Sequence, residues 1–231
     1  MTPGTAGTRL TLSDAVELTR TGDVWLFRGS SAADRLIRVT TNSPVNHVGM
    51  SVVLEDLPAL MWHAELGRSL PDLWSGDHHR GVQLHDLSDA VTTWATRYHQ
   101  RVWLRQLDGD VTAAMEEAVL QTIARLDGTP FPTTAGLAAG WLRARVPVGK
   151  RAAEAAGIET AYCAEVLART YTAMSLLPAN RPPQWYDPGR FWSGDDLPLL
   201  GSFRLGDEVP VDVPVRSEPD ADSRRGGHPQ G

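Results

Sequence analysis

The stretch VNHVGMSVVLEDLPALMWHAEL, residues 45–66, contains two apolar runs separated by turn-forming residues. Residues 45–54 and residues 60–66 each have the composition of a β-strand. Residues 55–58, which include two acidic residues and a proline, are typical of a turn. This stretch therefore predicts an antiparallel hairpin, and the rest of the fold is interpreted around it.

The first strand of this hairpin has two different faces. Large apolar residues alternate along it with a histidine and small residues: Val48, Met50 and Val52 on one face, and His47, Gly49 and Ser51 on the other. A turn of about five residues would place His47 opposite Glu65, and Gly49 opposite His63. In that register the Glu65 carboxylate would orient the His47 imidazole, whereas a slip of one residue would separate them.

Cys163 is the single cysteine of the chain, so an internal disulfide is excluded. Residues 161–176 predict a helix, which would place the thiol in its first turn. Exposed backbone N–H groups and the positive end of the helix dipole favour the thiolate there, which is the reactive form of cysteine. The ordinary alternative is that Cys163 is a small buried hydrophobic residue.

Helices and strands are mixed along the rest of the chain. Residues 112–126 carry apolar side chains at helical spacing and predict a helix, while residues 23–27, 82–84 and 102–104 are candidate strands. An α+β fold follows, with one domain over residues 1–213. Residues 214–231 lack an apolar run and are expected to form a disordered tail.

Composition excludes several classes of function. The net charge of −6 and the pI near 5.6 disfavour nucleic-acid binding. No apolar stretch reaches the roughly 18–20 residues that span a bilayer, and the start of the chain does not resemble a signal peptide. We therefore expect a cytoplasmic protein without an integral membrane segment; its oligomeric state is not predicted.

The histidines do not form a familiar metal motif. His63, His78, His79 and His85 offer the ligand types of a zinc site without its usual spacing. Phosphate-cradling loops and serine-nucleophile elbows are also absent from the sequence. We therefore expect neither a metal nor a cofactor.

Three segments resemble one family. Residues 21–29 with residues 35–38 are similar to the opening of permuted NlpC/P60 proteins of the YiiX/YebB-like group, which are related to lecithin:retinol acyltransferase-like proteins. Residues 43–50, SPVNHVGM, resemble the group's histidine motif. Residues 161–167, AYCAEVL, resemble its Cys-Ser-Glu-Leu nucleophile motif, with Ala164 where serine is common. The cysteine follows the histidine, as in the permuted branch.

The resemblance implies a papain-like fold, in which a small antiparallel sheet or barrel packs against helices. It implies Cys163 as nucleophile, His47 as base and Glu65 as the third polar residue. Tyr162, beside the nucleophile, is expected to border the substrate site. Asn46 and Trp62 are the other residues expected to bind substrate.

The implied activity is hydrolysis of an amide bond in a small or cell-wall-derived peptide, through a thioacyl-enzyme. Two alternatives stay open. One is an acyltransferase, thioesterase or lipid esterase, for which the apolar residues 136–142 would face an acyl chain. The other is a non-catalytic ligand-binding module.

Overall fold

The computed structural model describes residues 9–30, 43–130, 153–195 and 197–214. Its helices are α1 (Leu12–Leu18), α2 (Leu87–Thr96), α3 (Ala113–Leu126) and α4 (Ala153–Ala173). Its strands are β1 (Leu10–Thr11), β2 (Val24–Arg28), β3 (His47–Val52), β4 (Leu60–Glu65), β5 (Gly81–Asp86), β6 (Arg101–Arg105), β7 (Leu107–Asp108), β8 (Arg204–Leu205) and β9 (Val209–Asp212). Three short 3₁₀ helices follow α4, at Pro183–Trp185, Pro188–Phe191 and Ser193–Asp195.

Seven of the strands in the described part of the chain form one sheet, in the order β1-β9-β6-β2-β3-β4-β5. Every neighbouring pair is antiparallel except β1 and β9, which run parallel. Strands β7 and β8 form a separate antiparallel pair. The α+β class predicted from the sequence is confirmed.

The sheet is covered on both faces. On one face α3 and α4 bury a large apolar cluster that includes Val48, Met50 and Trp62. On the other face α1 and α2 bury a second apolar cluster that includes Phe27 and Trp94. The alternation of side chains along each strand assigns neighbouring residues to opposite clusters.

The outer edge of β5 is also covered. The backbone N–H of Val82 donates to the carbonyl of Thr129 (3.1 Å), and the N–H of Gly128 donates to the carbonyl of Val82 (3.1 Å). Gly81 forms an isolated antiparallel bridge with Pro130. The turn that follows α3 therefore lies along this edge of the sheet.

The predicted helices differ from the observed ones in two respects. Helix α4 begins at Ala153 and not near residue 161, so Cys163 lies in the third turn of a 21-residue helix and the first-turn prediction is wrong. Helix α2 was not predicted. The expected acyl-facing stretch at residues 136–142 and, apart from Pro214, the expected tail lie outside the described residues.

Candidate functional site

The site begins with the register of β3 and β4. Met50 pairs with Trp62, and Val52 pairs with Leu60. Continued along β3, this register puts Gly49 across from His63 and His47 across from Glu65, as the sequence predicted. These four residues share the sheet face that α2 covers.

Three histidines on this face form a continuous hydrogen-bonded chain. His47 Nε2 lies 3.0 Å from His63 Nδ1, and His63 Nε2 lies 2.8 Å from His85 Nδ1. The three residues come from the neighbouring strands β3, β4 and β5, and each side chain is at most 2% exposed. Each hydrogen bond joins the Nε2 of one ring to the Nδ1 of the next, so the middle ring uses both of its nitrogens.

Helix α2 closes this face of the sheet over His47. The Trp94 indole stacks on the His47 imidazole with ring centroids 3.9 Å apart and an interplanar angle of 19°. Phe27 packs against the same imidazole at 5.6 Å. These aromatic contacts restrict the orientation of His47 and exclude water from one side of its ring.

Burial keeps the three imidazoles neutral. It lowers the pKa of His47 to about 3, and it lowers the pKa of His85 to about 4. The pKa of His63 falls well below its usual value because of burial and the neighbouring His85 and His47 rings. A neutral imidazole holds one proton and one lone pair, so each ring can both donate and accept a hydrogen bond.

Glu65 lies on the same face but has other partners. The Ser69 hydroxyl donates to the Glu65 carboxylate at 3.3 Å, and Trp94 also forms a hydrogen bond with it. Burial raises the Glu65 pKa to about 7, against the opposing effect of these hydrogen bonds. The hydrogen bond of the His47 ring is made with His63 and not with Glu65. The sequence therefore identified the correct face but not the hydrogen-bond partner of His47.

Gly49 allows the histidine face to pack closely. A Cβ at this position would lie 2.4 Å from Met61 Sδ and 3.3 Å from His63 Cβ. Both neighbours are buried in β4. Glycine therefore provides the space that lets β4 side chains lie next to His47.

Cys163 lies on the opposite side of the sheet from His47. It is 1% exposed and belongs to the apolar cluster of Val48, Met50 and Trp62. His47 contacts Phe27 and Trp94 of the other cluster. The structure therefore does not bring the predicted nucleophile and the predicted base together.

The predicted substrate-binding residues occupy structural positions. Asn46 Oδ1 accepts a hydrogen bond from the Gly29 N–H at 2.7 Å. The Trp62 indole N–H donates to Thr170 Oγ1 at 3.0 Å and ties β4 to α4. Tyr162 and Trp62 are both buried in the cluster that contains Cys163. These three side chains do not line the histidine face.

Sequence reasoning did not identify Trp94 or His85 as parts of the site. The signal for Trp94 is the periodicity of Leu87, Ala90, Val91 and Trp94, which is that of an amphipathic helix after an Asp86 cap. The sequence suggests His85 only as a candidate metal ligand. Among the described residues, His, Cys, Asp and Glu side chains form no group of three or more that could hold a metal ion.

Comparison with known proteins yields a weak likeness at the level of structure. Neither a protein-family model nor a curated protein matches the chain. Among solved structures, the chain is similar to the crystal structure of the metalloprotein YiiX from Escherichia coli O157:H7, DUF1105, at 18% identity and a TM-score of 0.42. The match covers 66% of this chain and spans 64% of that one.

The likeness to permuted NlpC/P60 proteins rests on the sequence motifs. Within the described residues, no helix combines the length and the apolarity needed to cross a bilayer.

Proposed function

We propose that this protein is a hydrolase that cleaves an amide bond in a small or cell-wall-derived peptide, with His47 as its general base. The hydrogen-bonded chain from His47 to His63 and His85 is the observation that carries the proposal. A general base must be unprotonated and held in one orientation, and His47 meets both requirements. Burial keeps its ring neutral, while His63 and Trp94 restrict its orientation.

In this role His63 replaces Glu65 as the residue that orients the base. Its Nδ1 lies 3.0 Å from His47 Nε2, which leaves His47 Nδ1 as the atom that would take a proton from the nucleophile. A base with a pKa of about 3 accepts a proton poorly when it acts alone. Base catalysis by His47 therefore depends on neighbours that stabilise the added positive charge.

The nucleophile is the second part of the proposal. The motif around Cys163 supports a cysteine nucleophile, which would attack the amide carbonyl and form a thioacyl-enzyme. That reaction requires Cys163 Sγ within hydrogen-bond reach of His47, on the same side of the sheet. In the described conformation the two residues lie on opposite faces, so a water molecule activated by His47 is the competing nucleophile.

The burial of Cys163 favours a second candidate, the non-catalytic ligand-binding module. A nucleophilic cysteine is expected at a partly exposed, electropositive position, whereas Cys163 is 1% exposed among apolar side chains. A binding module needs no activated thiol. The chemical reactivity of Cys163 therefore distinguishes the two candidates.

Alkylation of the folded protein by iodoacetamide tests this directly, because Cys163 is the single cysteine. For a cysteine hydrolase, the rate rises at a pH below the unperturbed thiol pKa of about 8.5. It falls in His47→Ala and stays unchanged in His99→Ala, a matched control at an exposed histidine. A thiol that reacts only after unfolding contradicts the cysteine mechanism.

Hydrolysis of a panel of peptide amides completes the test. Activity that is lost in His47→Ala but retained in Cys163→Ala assigns the nucleophile to water and keeps His47 as the base. Activity that is retained in His47→Ala overturns the hydrolase proposal. A wild-type protein that hydrolyses none of the amides, and whose Cys163 does not react with iodoacetamide, overturns it in favour of the binding module.

A further inference from the structure

We propose that His85 is a positioning residue that ends a proton path from His47 through His63 and holds the positive charge formed when His47 takes a proton. This proposal rests on the proposed function in one respect only, namely that the nucleophile supplies the proton that His47 takes. It assigns a role to a residue outside the predicted set of nucleophile, base and third polar residue.

The connectivity of the three rings permits proton transfer along the whole chain. Both hydrogen bonds join an Nε2 to an Nδ1, at 3.0 Å and 2.8 Å. A proton that arrives on one nitrogen of an imidazole can thus be balanced by the departure of the proton on the other nitrogen. Two bonds that shared one nitrogen of His63 would not allow this exchange.

The transfer balances as follows. At the start, His47 Nε2–H donates to His63 Nδ1, and His63 Nε2–H donates to His85 Nδ1. His47 Nδ1 accepts a proton, the Nε2 proton of His47 moves to His63 Nδ1, and the Nε2 proton of His63 moves to His85 Nδ1. At the end, His47 and His63 are neutral with their protons on Nδ1, and His85 is an imidazolium.

The surroundings of His85 favour the positive charge more than those of the other two rings. The carboxylate of Asp72 is buried, accepts hydrogen bonds from the backbone of Ser75 and Leu84, and raises the His85 pKa against burial. The Leu70 carbonyl acts in the same direction. Within the described residues, no acidic group has a corresponding effect at His47, whose pKa is lowered by burial.

The other charged groups near the chain are divided between its two ends. His78 and His79, from the loop after β4, oppose a positive charge on His85. Glu65 and Arg97 interact with each other at the other end, next to Trp94. Asp72 is the carboxylate that favours the charged form of His85, so its position decides which end of the chain holds the proton.

The outer ring nitrogen of His85, Nε2, is the next feature of the chain of histidines. This atom is buried and makes no hydrogen bond of normal geometry within the described residues, although the Leu70 carbonyl lies near enough to favour a proton on the ring. A buried polar atom without a well-formed hydrogen bond destabilises the fold, and a role in proton transfer is one reason for which such an atom is retained. Throughout the transfer His85 Nε2 keeps its own proton, so His85 becomes an imidazolium once its Nδ1 is protonated.

Side-chain ¹⁵N NMR of the imidazoles tests the proposal without a substrate. As the pH falls, wild type should show the first fully protonated ring at His85, while the protons of His47 and His63 move from Nε2 to Nδ1. If His47 or His63 becomes the first imidazolium of the three, the proposal is overturned. This measurement needs no variant and no activity.

The variant His85→Asn makes a second test. Asparagine places a polar atom near the position of Nδ1, so it can keep the hydrogen bond to His63 but cannot hold the proton. Protonation of His47 and His63 should then require a pH lower by about one unit or more. His99→Asn, at an exposed position, should leave both unchanged.

If His47 and His63 in folded His85→Asn are protonated at the same pH as in wild type, His85 does not hold the proton and the proposal is overturned. That result would leave the amide hydrolysis measurements untouched, so failure of the proton path and failure of the hydrolase proposal are distinguishable.

Discussion

Replacement of Gly49 by alanine should destabilise the fold through the contact between β3 and β4. The new Cβ would lie 2.4 Å from Met61 Sδ, whereas non-bonded heavy atoms normally approach to about 3.5–4.0 Å. Met61 would have to move by roughly 1 Å although it is fully buried. His63 Cβ, at 3.3 Å, would also be displaced.

Overpacking of this kind costs about 1–3 kcal/mol. The reduced flexibility of the unfolded chain offsets about 0.4–1 kcal/mol of that cost. We therefore expect the free energy of unfolding to fall by about 1–2 kcal/mol. Urea unfolding at pH 7.5, followed by tryptophan fluorescence, measures this change as a lower midpoint.

Gly206→Ala is the matched control, because its Cβ would make an ordinary contact with the Gln106 carbonyl at 3.5 Å. In a double-mutant cycle, Gly49→Ala combined with Met61→Ala should destabilise less than the sum of the two single changes, by about 1 kcal/mol. The reasoning is refuted if Gly49→Ala unfolds at the wild-type midpoint, or if the two changes are additive.

Three further predictions concern buried polar groups. Glu65 has a folded pKa of about 7 against 4.5 in the unfolded chain, so its contribution to stability is full below pH 4.5 and is lost as the pH rises through 7. The free energy of unfolding of Glu65→Gln should therefore rise by about 3 kcal/mol relative to that of wild type between pH 4.5 and pH 8. A difference in urea unfolding that does not change with pH would contradict this. His47 and His85 act in the opposite direction, because their stabilisation is full above pH 6.5 and is lost as the pH falls through their folded pKa values of about 3 and about 4. In the Glu65→Gln background these two histidines should together lower the free energy of unfolding by about 3 kcal/mol between pH 6.5 and pH 5, and His63 acts in the same direction. Equal unfolding midpoints at the two pH values would argue against neutral buried histidines. Thr170→Val should lower the free energy of unfolding by about 1–3 kcal/mol, because it leaves the buried Trp62 N–H without its acceptor. Thr170→Ser keeps the hydroxyl and is the control. Similar unfolding midpoints for the two variants would show that this hydrogen bond is unimportant.

The hairpin of β3 and β4 could be predicted from the sequence because its alternation and its turn are local signals. That alternation also placed His47, His63 and Glu65 on one face, as observed. Which of these side chains contact each other depends on strand twist and on side-chain rotamers. The hydrogen bond from His47 to His63, one pair along the ladder, could therefore not be predicted.

The position of Cys163 depends on information that its motif does not contain. The motif predicts that α4 begins next to Cys163, whereas the alanine-rich residues before the motif extend the helix back to Ala153. The sheet face against which the helix packs is decided by tertiary contacts, including the hydrogen bond from Trp62 to Thr170 and that from Tyr171 to the Gly22 carbonyl. The separation of Cys163 from His47 follows from that packing.

The segment that lies along β5 also has a consequence for the behaviour of the protein at high concentration. An uncovered edge strand presents a row of unpaired N–H and C=O groups, on which another chain can add as a further strand. Here residues 128–130 occupy the hydrogen-bonding groups of Val82, and Pro130 has no N–H with which to continue a ladder. The short turn after α3 therefore protects the start of β5 against edge-to-edge pairing with another chain.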